Sequence, residues 1–184
     1  MIEHIIKKLE NPLRISELNP HNMLIRAGLK QNMTLCDIGA GTGLFTFQAA
    51  KITNKDIYAL DISDKMLELL KERIKENNIE NIKLKKVISD DLPLDNDSCD
   101  MVIMVTVLHE VSDKEKMIKE INRVLKKDGK LMIIEFHKKE TPIGPPVEHR
   151  LSEEYVESLC LDCGFKDIVK DSLGDNFYSI IAEC

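Results

Sequence analysis

From residue 34 onward two hydrophobic patterns alternate along the chain. Short, nearly unbroken apolar runs suit strands covered on both faces. Between them, apolar residues recur at the spacing of one helix face. Residues 34–37 are the first run, and residues 56–60 are the second, ending at Asp61. Residues 82–87 alternate apolar and basic, residues 100–105 are almost wholly apolar, and residues 130–136 make a fifth strand. Helices are predicted over residues 44–50, after Ser63 with Met66, Leu67, Leu70 and Ile74 inward, and after Ser112. Ser112-Asp113-Lys114-Glu115 reads as a capping box for the third of these, with residues 126–129 as the turn that follows it. Ser152 caps a helix over residues 153–163, closed by Gly164. Residues 165–173 and 177–182 then form an antiparallel hairpin around Gly174-Asp175. The pattern predicts an α/β fold: a doubly wound, seven-stranded, mostly parallel sheet with an antiparallel C-terminal strand, in a three-layer α/β/α sandwich.

The beginning of the chain is less regular. Residues 1–19 show no clear period, with Asn11-Pro12 and Asn19-Pro20 as turn signals. A helix over residues 20–27 follows, with Pro20 early and Gly28 at its stop. This segment either covers the ligand site or decorates the sheet. Residues 137–150, with Pro142, Gly144, Pro145 and Pro146, read as a long loop. The expected organisation is one domain over 1–184, with residues 1–30 as a helical cap on a core of residues 31–184.

Composition narrows the partners. A net charge of −6 gives no global positive field to hold nucleic acid or an anionic membrane. No apolar run approaches the ~20 residues of a membrane span, and the N-terminus lacks a signal-peptide core. Cys36, Cys99, Cys160, Cys163 and Cys184 are an odd, scattered set, which fits reduced thiols in the cytoplasm. Cys160-Leu161-Asp162-Cys163 lacks a second pair at zinc spacing, so two helix-face thiols are expected and no metal.

The candidate chemistry lies where the first strand ends. Gly39, Gly41 and Gly43 follow it at alternate positions. Glycine permits positive φ and close approach to the backbone, and a helix start leaves amides free to meet a ligand. A dinucleotide turn needs its third glycine at position 44, which here is Leu44. With Asp37 ahead, the stretch reads D-x-G-x-G-x-G and resembles motif I of the class I S-adenosylmethionine-dependent methyltransferases.

The resemblance extends along the chain. Residues 59–67, Ala-Leu-Asp-Ile-Ser-Asp-Lys-Met-Leu, are similar to the family's second motif, whose acidic residue holds the ribose hydroxyls; that residue is Asp61. Residues 90–100 resemble its D-L-P-F and D-N-S-F-D stretch. The acidic residue that relatives carry just upstream, against the adenine amino group, is Ile88 here, leaving Asp90 or the backbone around Ser89. Residues 105–111 resemble the L-H-H segment, with Glu110 for the second histidine, and Thr106 facing the crevice. Residues 124–131 match the L-K-P-G-G turn, and residues 135–146 resemble a small ubiquinone-biosynthesis-like subgroup.

The resemblance implies a Rossmann-like core and S-adenosyl-L-methionine as cofactor. The implied binding residues are Asp37, Ile38, Gly39, Ala40, Gly41, Gly43, Asp61, Ile62, Met66, Ser89, Asp90 and Thr106. It implies in-line methyl transfer to a small-molecule acceptor. A hydroxyl acceptor needs a base, for which His109, Glu110 and His137 are candidates; for His109 the preferred reading is a packed residue. The alternatives are a non-catalytic binder of the same cofactor and a nicotinamide-dependent oxidoreductase, the latter disfavoured by the glycine spacing. No motif in residues 1–19 or 137–150 names the acceptor, and the oligomeric state is open.

Overall fold

The computed structural model describes residues 2–88 and 91–184. Among them, seven strands form one sheet: β1 (Leu35–Ile38), β2 (Ile57–Asp61), β3 (Ile82–Lys86), β4 (Cys99–Val105), β5 (Leu125–Phe136), β6 (Lys166–Leu173) and β7 (Phe177–Glu183). Their spatial order is β3-β2-β1-β4-β5-β7-β6. β1 pairs in parallel with both β2 and β4. The chain therefore winds outward to β3, returns, and winds the other way from β4. Such a reversal opens a crevice at the carboxyl ends of the two central strands. β7 runs antiparallel to its neighbours β5 and β6, as the hairpin reading requires.

The helices are α1 (Ile2–Leu9), α2 (Pro12–Leu18), α3 (Pro20–Ala27), α4 (Thr46–Ala49), α5 (Asp64–Glu76), α6 (Lys114–Val124) and α7 (Glu153–Asp162). Strand alternation divides the core between the two sheet faces. Val102 and Met104 of β4 join Leu131 and Ile133 of β5 under α6 and α7. Met101 and Ile103, with Met132 and Ile134, join Leu24 of α3, Ala49 of α4 and Leu70 of α5 on the other face. Cover on both faces explains why β4 reads as a continuous apolar run. The edge strand β3 carries exposed lysines, Lys83 and Lys86, which oppose further strand pairing.

Four local expectations are corrected. Residues 2–19 are mostly helical, not irregular. Asn11 accepts from the Leu13 N–H to cap α2, and Asn19 sits at φ 39 between α2 and α3. The turn signals marked helix boundaries. The helix expected over residues 44–50 shortens to α4. Asp113, not Ser112, caps α6, accepting from the Lys116 N–H at 2.9 Å. Its carboxylate outcompetes the neighbouring hydroxyl at the positive end of a helix. Residues 126–129 belong to β5, and the β4–β5 ladder shifts register between Cys99 and Met101. Asp128 takes the left-handed φ of 61 that a glycine would otherwise supply.

Candidate functional site

The crevice at the tips of β1 and β4 is a cleft of about 520 Å3. Its floor is the loop after β1. Gly39 and Gly41 adopt φ of 71 and 54. A Cβ on Gly39 would lie 2.4 Å from Val107 Cγ2, so only hydrogen fits there. Gly43 does not line the cleft: a Cβ on it would strike Phe47 at 2.4 Å and Leu70 at 2.7 Å, making it a packing residue beneath the loop.

The loop amides are committed. Gly39 and Ala40 N–H both donate to Leu60 O, at 2.8 and 2.9 Å. Gly41 N–H donates to Asp61 Oδ2 at 2.9 Å, and Ser63 N–H donates to Oδ1 at 2.8 Å. The loop is thus bound to the tip of β2 and does not present a row of free donors, contrary to the sequence expectation. Asp61 and Asp37 bring two carboxylates to the floor. Asp37 is 3% exposed and accepts from Thr46 Oγ1 at 2.6 Å. Burial pushes its carboxyl up to about 7, with a smaller push from Asp61, against the Thr46 hydrogen bond.

Of the residues singled out from sequence, Asp37, Ile38, Gly39, Ala40, Gly41, Asp61, Ile62, Met66, Thr106 and Glu110 line this cleft together. Ser89 and Asp90 lie outside the described residues. Ile88, where the resemblance leads one to expect an acidic residue, is 86% exposed. His109 turns away: its Nδ1 is 2.8 Å from Glu135 Oε2, and its backbone N–H donates to Oε1 at 3.2 Å. It borders a separate surface groove with Lys114, His149 and Tyr155. His137 lies outside the cleft too, 2.9 Å from Ser172 Oγ and 3.1 Å from Glu153 Oε1. Cys160 is buried in the core, and Cys163 caps the end of α7 with its thiol 3.8 Å from Glu115 O. Both thiols are held above their usual pKa by burial.

A cover over the ligand site is one of the two readings the sequence leaves open for the N-terminal segment, but it singles out none of the residues that build it. Ile5, Lys8 and Leu9 of α1 and Arg14 of α2 close over the cleft. Glu10, just after α1, pairs with Arg73 of α5 at 2.5 Å, and Arg73 also donates to Thr42 O at 2.9 Å. Arg14 is 7% exposed. Its Nη2 donates to Thr106 Oγ1 at 2.8 Å, and the guanidinium lies 5.4 Å from the Phe177 ring centre. Its Nε is buried without a partner. Burial lowers its pKa to about 10, outweighing the opposing charge of Glu135. Thr106 itself sits at φ 54, a strained value for a β-branched residue. The one signal in the sequence is that Arg14 and Leu18 stand four apart on a single helix face, and both are buried. A second missed arginine, Arg150, ties residues 137–150 together, donating to the carbonyls of Pro145, His137 and Lys139.

The family model described as "Methyltransferase domain" matches residues 29–183. A solved S-adenosylmethionine-dependent methyltransferase from Aquifex aeolicus is 29% identical, with a TM-score of 0.90, covering 100% of this chain and 98% of that one. The ubiquinone/menaquinone biosynthesis C-methyltransferase UbiE of Idiomarina loihiensis is 29% identical over 132 residues, which is 70% of this chain and 50% of that protein. The uncharacterized methyltransferase YcgJ of Bacillus subtilis is 28% identical over 121 residues, 66% of this chain and 47% of that protein. The chain thus spans about half the length of these curated relatives.

Proposed function

This chain belongs to the methyltransferase-domain family, with S-adenosyl-L-methionine as its cofactor, and from that premise we propose that it methylates a small-molecule acceptor held beneath α1 and α2. The observation that carries the reading is the charge around the loop. Two buried carboxylates, Asp37 and Asp61, favour a cationic ligand there. The committed amides of Gly39, Ala40 and Gly41 leave a pyrophosphate few donors, which counts against a nicotinamide dinucleotide.

The residues present fit the cofactor. Asp61 accepts one N–H on each oxygen, and its remaining lone pairs suit the two hydroxyls of a ribose. Ile62 and Met66 offer apolar surface beside it for a purine. Asp37 and the Gly39–Gly41 backbone would hold the sulfonium end, with Thr106 opposite. When bound, S-adenosylmethionine supplies a methyl group on positively charged sulfur, already activated for displacement. The chain's part is alignment and exclusion of water. Leu9, Val105, Val107, Val111 and Met117 give the cleft its apolar walls. An acceptor that must shed a proton needs a base, and of the three candidates Glu110 alone lines the cleft, so Glu110 takes that role in this reading.

The Idiomarina relative's name makes an electron-rich ring carbon of a quinone precursor the first acceptor to test. Calorimetry with S-adenosylmethionine and S-adenosylhomocysteine tests the binding. Release of S-adenosylhomocysteine in the presence of reduced quinone precursors and of fractionated cell metabolites tests the transfer. Binding of neither nucleoside at millimolar concentration would end the reading.

A further inference from the structure

Resting on that reading, we propose that Arg14 is the cleft's anion receptor, closing on a carboxylate or other anionic oxygen of a bound ligand. A buried guanidinium has five donors to satisfy, and leaving them bare is costly. Among the described residues Arg14 donates one hydrogen bond, from Nη2 to Thr106. Its Nε has no partner, and no carboxylate lies within ion-pair distance of it among the described residues. Glu135, whose charge acts on it, is itself engaged by His109. The guanidinium is walled by Phe136 and Phe177. These rings seat a planar cation but supply no acceptor, and Arg14 lines the cleft where a ligand can supply one. The hydrogen-bond partner Thr106 is held in a strained backbone at the tip of β4, as at sites where ligand contacts are pre-set.

Two ligands carry such an oxygen in this cleft: the cofactor, through the carboxylate of its methionyl end, and an acidic or phenolic acceptor. The test compares S-adenosylmethionine with decarboxylated S-adenosylmethionine on the wild type and on Arg14→Met. It is paired with benzoate against benzamide on protein saturated with S-adenosylhomocysteine. If the cofactor's carboxylate is the partner, the wild type prefers the carboxylated nucleoside by roughly 10- to 100-fold, the worth of a charge-assisted contact, and Arg14→Met abolishes the preference. If the acceptor supplies the oxygen, the nucleoside preference stays and the variant loses that for benzoate instead. Arg14→Lys, keeping the charge without the fork, retains part of either preference and serves if the methionine variant misfolds. Arg14→Met should melt no lower than the wild type, because it relieves an unsatisfied buried group. A variant that melts lower while both preferences persist would make Arg14 a structural residue and overturn the proposal. Failure of the wild type to bind either nucleoside would instead remove the reading beneath it.

Discussion

The floor and the roof of the cleft are built on opposite principles. The floor is made of strand tips: Asp37 and the glycines after β1, and Asp61 after β2, cross-linked by Gly41 N–H to Asp61 and by Leu60 O to Gly39 and Ala40. Its carboxylates are buried, and its shape is enforced by backbone that admits no larger residue at Gly39. The roof is a pair of short helices, in which α1 contributes no buried side chain and α2 contributes Arg14 and Leu18. The floor is positioned by the sheet and the roof by side-chain contacts alone. Changes in the floor should therefore move stability or affinity by large amounts, and changes at the Glu10 contact that holds α1 should be felt in exchange.

Asp37→Asn tests the floor hardest. Native Asp37 titrates at about 7 instead of near 3.8. The native state thus binds the extra proton between those values, and wild-type stability falls as pH rises through that window and is level above it. The variant should match the wild type near pH 4 and exceed it at pH 8 by on the order of 4 kcal/mol, from three units at ~1.4 kcal/mol each; denaturant titrations at the two pH values decide. Cationic S-adenosylmethionine should lose more affinity for this variant than neutral S-adenosylhomocysteine. Next, Asp61→Ala strands the N–H groups of Gly41 and Ser63 along with the ligand, so nucleoside affinity should fall roughly 100-fold or more by calorimetry. Gly39→Ala combines a positive φ with the 2.4 Å clash against Val107 and should cost about 1–3 kcal/mol in urea unfolding. The ion pair that ties α1 down gives the smallest effect. Glu10→Gln removes a half-exposed ion pair with Arg73 and should change stability by less than about 1 kcal/mol. Its effect should appear in a stopped-flow dissociation rate, which rises a few-fold. A larger equilibrium effect for Glu10→Gln than for Asp61→Ala would reverse the comparison.

The same division governs what could be read from sequence. β4 and the core of β5 were legible because burial on both faces writes itself as an apolar run. The glycine loop and Asp61 were legible because their spacing is local and their conformations are rarely available to other residues. α1 and α2 were not, because eight and seven residues contain too few turns to establish a period, and α1 buries none of them. Arg14 was hidden for a different reason: nothing near it in the chain announces that β4, β5 and β7 will bring Thr106, Phe136 and Phe177 around it. The histidine candidates were chemically reasonable, but Glu135 lies 26 residues from His109 in sequence, and that partner decides where the ring points. Gly43 illustrates a subtler limit. Its place in the motif marked it for a ligand, and packing against Phe47 and Leu70 is what requires it.

The shallow anchorage of α1 has a bearing on traffic. A helix with no fully buried side chain, whose Ile2, Ile6 and Leu9 are only partly covered, would uncover little core on swinging aside, so its opening belongs to the cheap end of native fluctuations. Leu9, perched over Gly41, would then move as a door leaf hung on the Glu10–Arg73 pair, opening a way for nucleoside in and out while the seven strands stay shut.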